Sequence, residues 1–221
     1  MIDLAITITT FSMMVMLFKY FDKIRVNNLI AITFNYFTAG TLALSSYLLE
    51  NSFIELKTNT NLNLVIIALI IGTLFVITFN LYAYSAQKIG ITLSTISNKM
   101  SMVIPILIGI ILFKEEVTFF KIIGVFLALG AIVFSSKEDK KSKKLSQLNI
   151  IILFLLFIGQ GLADGLLNWG QRNILNSQNM NLFFTLTFLS AGFTGGLYSF
   201  FKIKTSNLKM DKKSIFWGIV L

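Results

Sequence analysis

The sequence contains no cysteine, no histidine and a single proline among its 221 residues. Without cysteine and histidine the chain cannot form disulfides, thiolate nucleophiles, the usual zinc sites or imidazole acid–base catalysts. Charged residues are also scarce, at 13%, about half the share found in soluble domains. Hydrophobic residues reach 55%, more than one core of this size can bury, which argues against a soluble domain and against disorder. We therefore expect no cofactor, no metal and no enzymatic activity.

Seven apolar stretches are long enough, or nearly so, to cross a bilayer, which takes about 20 residues. They lie at about Ile2–Phe18, Asn27–Leu49, Leu62–Ala86, Ile91–Phe113, Thr118–Ser135, Leu148–Trp169 and Leu182–Phe201, and an eighth begins near Ser214. The polar stretches between them are too short to hold a soluble catalytic domain. The sequence therefore predicts an all-α, multi-pass protein of the cell membrane, the bacterial inner membrane in particular.

The net charge of +9 predicts contact with anionic lipid headgroups. Nucleic acid is not an expected partner, because no basic helix or RNA-binding motif is present. With alternating loops, 14 of the 19 basic residues fall on one face, four fall on the other, and Lys99 lies inside a span. By the positive-inside rule this count places the N-terminus outside the cell.

An internal repeat appears when the sequence is shifted by 152 residues, which places Thr33 on Thr185 and Ala39-Gly40 on Ala191-Gly192. Spans 1 to 3 then correspond to spans 6 to 8. Five spans per repeat invert the second copy, a common transporter plan with the substrate site at the repeat interface. We predict a first repeat at 1–136, a basic linker at 137–147 and an incomplete second repeat at 148–221, which breaks off within its third helix. Completing it would take about 67 further residues, so we expect a whole protein of about 290 residues with further C-terminal helices.

The segment that closes the first repeat is Phe113-Lys114-Glu115-Glu116-Val117-Thr118, followed by Gly124 and Gly130-Ala131. It resembles the close of an EamA-type repeat in the drug/metabolite transporter (DMT) superfamily, and Asn35-Tyr36 and Gly161–Gln171 are similar to the same family. The resemblance implies two inverted repeats of five helices (5+5) and transport of small metabolites. It also implies a central cavity lined by helices 1, 3, 4, 6, 8 and 9, and both termini in the cytoplasm. The last point opposes the count of basic residues, and the orientation stays open.

Asp164 is the clearest carboxylate at bilayer depth, where an ionisable side chain is costly and therefore indicates function. Gln160, Asn168 and Gln171 share its helix face. We interpret this stripe as a binding site for substrate or a proton; the alternative is an internal hydrogen-bonded brace. Gly161 and Gly165 have the spacing that lets a second helix approach closely.

Lys99 lies eight residues into the fourth span, beside Asn98 and Ser101, in a half-helix rich in serine and threonine. Pro105 follows and removes the donor for the Ser101 carbonyl, which predicts a kinked helix of the kind that forms transporter binding sites. Alternatively, Lys99 extends to the interface and the kink has no further role. We expect Lys99 and Asp164 to form a central charge pair.

Three further features have simpler interpretations. Asn80 lies deep in the third span and is a candidate substrate contact. Glu115-Glu116 is interpreted as a solvated turn, outside any substrate site. Gly192 and Gly196 are interpreted as a helix-packing pair.

The sequence as a whole predicts a secondary transporter, importing or exporting a small metabolite by alternating access. The substrate would bind near Asp164, Lys99 and the polar half of the fourth span. One charge of each sign is compatible with a zwitterion such as an amino acid, and either a proton gradient or facilitated diffusion could drive its movement. The alternative is a non-transporting membrane scaffold or regulator. The expected partners are the substrate and the lipid bilayer, and the sequence also allows a homodimer.

Overall fold

The computed structural model describes residues 2–50, 60–120, 122–127, 130, 146–175, 179–206 and 210–221. Within those ranges all regular structure is helical. The helices are α1 (Ile2–Ile24), α2 (Asn28–Glu50), α3 (Leu62–Lys88), α4 (Ile91–Met100), α5 (Val103–Phe113), α6 (Gln147–Asn173), α7 (Met180–Ser206) and α8 (Lys212–Val220). Residues 119–120 and 122–127, from the fifth predicted span, are also helical. The rest of that span is mostly outside the described residues, as is 137–145 of the predicted linker.

Six stretches of the described chain have the length and apolar composition of membrane spans, with α4 and α5 together forming one of them. Large apolar side chains cover much of the outer surface, especially on the first half of α1. Such a surface would be an aggregation hazard in water, whereas in a bilayer it contacts lipid. The observed helices extend beyond most predicted spans because their ends carry polar residues that hydropathy leaves out.

Polar side chains at three helix starts accept hydrogen bonds from otherwise unpaired backbone N–H groups. Asn61 accepts from the N–H of Leu64 at α3, Ser146 from that of Asn149 at α6, and Asp211 from that of Ser214 at α8. The turn between α3 and α4 contains Gly90 at φ +138°, in a region that glycine adopts readily. These local signals set where the spans begin and turn.

The fourth span is divided at residues 101–102, one turn before Pro105. Proline lacks the N–H of a regular helix, and its ring clashes with the carbonyl four residues earlier, here that of Ser101. From the sequence, this carbonyl is expected to lack a hydrogen-bond donor. In the structure the N–H of Ile104 donates to it at 2.9 Å, so the carbonyl has a hydrogen-bond partner despite the proline.

The largest helix interface joins α2 and α7, with α3 packed on α7 and α8 packed on α2. A Cβ added at Gly40 would contact Leu189, and one added at Gly192 would contact Phe37. These two contacts are reciprocal under the 152-residue shift, because Gly40 corresponds to Gly192 and Phe37 to Leu189. Reciprocal contacts of this kind are what a two-fold axis produces. Gly196 also faces Phe37, which confirms the packing interpretation of Gly192 and Gly196.

Candidate functional site

A cavity of about 540 Å³ lies between α1, α3, α4, α5 and α6. Its volume is in the range of sites for small molecules. The predicted site residues that line it are Asn98, Lys99, Ser101, Pro105, Gln160, Asp164 and Asn168. The fold thus brings the polar stripe of α6 and the broken fourth span to one interior space.

The α6 wall of the cavity is built around Asp164. Gln160, one turn earlier, donates a hydrogen bond from Nε2 to Asp164 Oδ1 at 3.0 Å. One turn later, Asn168 Oδ1 is buried and has no hydrogen-bond partner among the described residues. An unpaired buried amide oxygen costs free energy, and the Asn168 side chain lines the same cavity as Asp164.

The neighbouring face of α6 holds α5 close. A Cβ at Gly161 would clash with Ile104, and one at Gly165 would lie 2.5 Å from Ile108 Cδ1. The two glycines therefore let α5 pack tightly against α6, as their spacing predicts. Close packing on this face leaves the polar face of the same helix directed at the cavity.

The opposite wall is α4, which two hydrogen bonds fix in place. The hydroxyls of Tyr82 and Thr95 lie 2.9 Å apart, joining α3 to α4. Ser97 Oγ donates to the carbonyl of Leu153 at 2.6 Å, joining α4 to α6. These contacts set the position of Lys99 in the last turn of α4.

Lys99 and Asp164 do not form the ion pair that the sequence argument expected. Lys99 Nζ lies instead 3.7 Å from the centre of the Phe11 ring, a cation–π arrangement. Asp164 has Gln160 as its hydrogen-bond partner. The salt bridge is absent because Lys99 extends towards α1, so the two charges attract each other across the cavity without direct contact.

An ion pair at one end of the cavity was missed in the sequence. Arg172 and Glu115 both line the cavity and form a salt bridge, and the guanidinium lies 4.6 Å from the Phe113 ring centre. The acidic turn is therefore partly buried at Glu115, and its interpretation as a solvated turn is wrong for that residue. Arg172 follows Asn168 by four residues, and this spacing was the available signal.

Asn80 does not join these residues. Its Nδ2 donates to the Val76 carbonyl of its own helix at 2.9 Å, and its side chain borders a second cavity on another face of α3. The near-uniform apolar sequence of α3 concealed which of its faces meets the Asp164 cavity.

Helical stretches of membrane-spanning length surround a cavity that carries both charge signs, the architecture of a multi-pass membrane protein. Residues 2–137, more than half of the chain, match the family model of the EamA-like transporter family. The chain therefore belongs to that family, within the DMT superfamily, which confirms the resemblance carried by the repeat-closing motif. Members of this family are transporters rather than enzymes. No curated protein and no solved structure matches the chain.

Proposed function

We propose that the protein is a secondary transporter of the bacterial inner membrane that moves a small zwitterionic metabolite, with amino acids as the substrate class. The observation that carries this proposal is that the two charged side chains predicted to bind substrate form no salt bridge with each other. Asp164 and Lys99 border one space and have opposite charges, yet no salt bridge joins them. A zwitterion supplies one group for each of them.

The energetics favour such a ligand over a singly charged one. An ionisable group at bilayer depth costs from about 2.5 to over 10 kcal/mol, depending on its surroundings. A substrate ammonium at Asp164 and a substrate carboxylate at Lys99 would offset both costs together. Asn168 lines the same cavity one turn along the α6 face from Asp164, and a turn of its amide would let the unpaired oxygen accept a second ammonium hydrogen.

Alternating access between inverted five-helix repeats is the mechanism we propose. The reciprocal contacts of Gly40 and Gly192 support a two-fold relation of α2 to α7. The cavity then lies between the repeats, with α1, α3, α4 and α5 on one side and α6 on the other, where transporters of this plan bind substrate. The Arg172–Glu115 pair closes one end of the cavity, and its separation would open a path to that membrane face.

The test is uptake of labelled amino acids into proteoliposomes, with Asp164→Asn and Lys99→Met compared with the unchanged protein. Charged hydrogen bonds contribute about 1.5–3 kcal/mol, so each substitution should lower uptake at least about tenfold. Asn80→Ala is the matched control, because it removes a polar side chain from a span without altering the cavity, and it should leave uptake unchanged.

Two substrate analogues assign the charges. An analogue without the amine should lose its dependence on Asp164, and one without the carboxylate should lose its dependence on Lys99. Wild-type uptake by both variants, or equal loss in Asn80→Ala, would contradict the proposal.

A further inference from the structure

The second cavity, of about 810 Å³, lies between the start of α2, one face of α3 and the second half of α7. It shares no lining residue with the Asp164 cavity. At 100° per residue, Thr73, Ile77 and Tyr84 lie on the face of α3 opposite to Phe79 and Tyr82, which border the first cavity. The two spaces are therefore separated by the body of α3.

One end of this second cavity is polar and cationic. Lys202 is half-buried there, with Nζ 5.8 Å from the Tyr198 ring centre. No acidic side chain lines the cavity. In the part of the chain that the structure describes, neither Lys202 nor the hydroxyls of Tyr84 and Tyr198 has a hydrogen-bond or ion-pair partner. These three groups can together bind an anion.

At the other end, the threonine hydroxyls are bonded to their own helices. Thr73 Oγ1 donates to the Leu69 carbonyl at 2.8 Å, and Thr194 Oγ1 donates to the Ser190 carbonyl at 2.9 Å. The Asn80 amide is likewise turned onto its own helix. The apolar side chains of Val76 and Ile77 supply lining at this end, and that of Leu81 lies between the two ends. This end therefore suits a hydrocarbon chain.

The polar end lies at the membrane surface. Tyr84 is one turn from the end of α3, and Lys202 is one turn from the end of α7. The neighbouring Asn28 begins α2, and its Nδ2 lies 2.9 Å from Gln87 Oε1 at the end of α3. Thr73 is 11 residues before Tyr84, about 16 Å deeper along the helix. The cavity thus runs from headgroup level towards the middle of the bilayer.

We propose that this cavity is a binding site for one anionic phospholipid. Its phosphate would contact Lys202 and the two tyrosine hydroxyls, and an acyl chain would lie along α3. Basic pockets between membrane helices bind anionic headgroups, and lysine and tyrosine both occur at headgroup level. The site is independent of the substrate cavity and of the proposed transport activity.

The experiment is native mass spectrometry of the purified protein titrated with phosphatidylglycerol or with phosphatidylcholine of the same chains. We expect one retained phosphatidylglycerol and no saturable phosphatidylcholine. Lys202→Gln should weaken phosphatidylglycerol binding about fivefold, and Tyr84→Phe with Tyr198→Phe should weaken it further. Lys204→Gln is the matched control, since Lys204 is exposed and lies two residues further along the same helix.

Three outcomes would overturn the proposal. These are equal effects of Lys202→Gln and Lys204→Gln, equal retention of the two lipids, and displacement of the lipid by glycerol 3-phosphate at similar concentration. The last outcome would show a site for a free phosphate compound. Thermal unfolding of each variant without added lipid is measured alongside, and an unchanged midpoint shows that the variant is folded.

Discussion

Glycines lie in the helix contacts of both α7 and α6, but only α6 carries a stripe of polar side chains that lines the Asp164 cavity. Around α7, the glycines of α2, α3 and α7 lie against side chains or backbone of the partner helix, and the helices pack closely except where the second cavity opens between them. Around α6, Gly161 and Gly165 lie against Ile104 and Ile108 of α5, and Gly159 lies against Thr78 of α3. Another face of α6 borders the cavity that contains Asp164.

The difference shows how a membrane protein keeps a polar space open. Lipid chains are as apolar as leucine, so helices associate in a bilayer through close packing rather than through the hydrophobic effect. Glycine rows let two helices approach until their backbones nearly touch. Where a row of polar side chains replaces the glycines, and the partner helix is broken at 101–102, the helices diverge and a cavity remains.

The largest expected effect comes from Gly72→Ala, which tests whether the α7 surroundings are closed. The added methyl would lie 2.6 Å from the Thr187 carbonyl oxygen and 2.8 Å from the Ala191 nitrogen, and backbone atoms cannot move aside cheaply. We expect a loss of about 1–3 kcal/mol in an SDS unfolding titration. Gly124→Ala is the reference, because nothing lies within 4 Å of its added methyl. Equal stability of the two variants would contradict a closed contact.

A smaller effect is expected from Gly165→Ala at the α6 interface. Its methyl would meet only the end of the Ile108 side chain, at 2.5 Å, and that side chain can turn at a cost of about 0.5–1.5 kcal/mol. The same titration against Gly124→Ala measures this cost. A loss as large as that of Gly72→Ala would mean that α5 and α6 are packed as rigidly as the helices around α7.

The smallest effect is expected from Glu115→Gln, which removes the ion pair with Arg172. Both side chains are partly exposed, at 28% and 43%, and such pairs contribute about 0.2–1 kcal/mol. Asp22→Asn is the control, since its pair with Lys88 is more exposed and its loss should not be measurable. If Glu115→Gln destabilises more than Gly165→Ala, charge rather than packing holds the α6 interface together.

Much of the fold follows from the sequence because membrane spans have a simple signature of length and hydropathy. The polar stripe of α6 was equally readable, since Gln160, Asp164 and Asn168 recur every four residues. The position of Glu115 could not be predicted from the sequence, because it depends on Lys114 adopting a left-handed conformation at φ +50°. That conformation turns the chain back over α5. The sequence did not show which cavity Asn80 borders, because α3 has no polar stripe that marks its cavity-facing side.

The reciprocal contact of Gly40 with Leu189 and of Gly192 with Phe37 has a consequence for energy balance. Under the proposed alternating access between inverted repeats, a contact surface that maps onto itself when turned over would have a similar free energy in the states open to either side of the bilayer. The two states would therefore have similar free energies in the absence of substrate. Differential binding of a substrate by only a few kcal/mol would then be enough to switch the molecule between them.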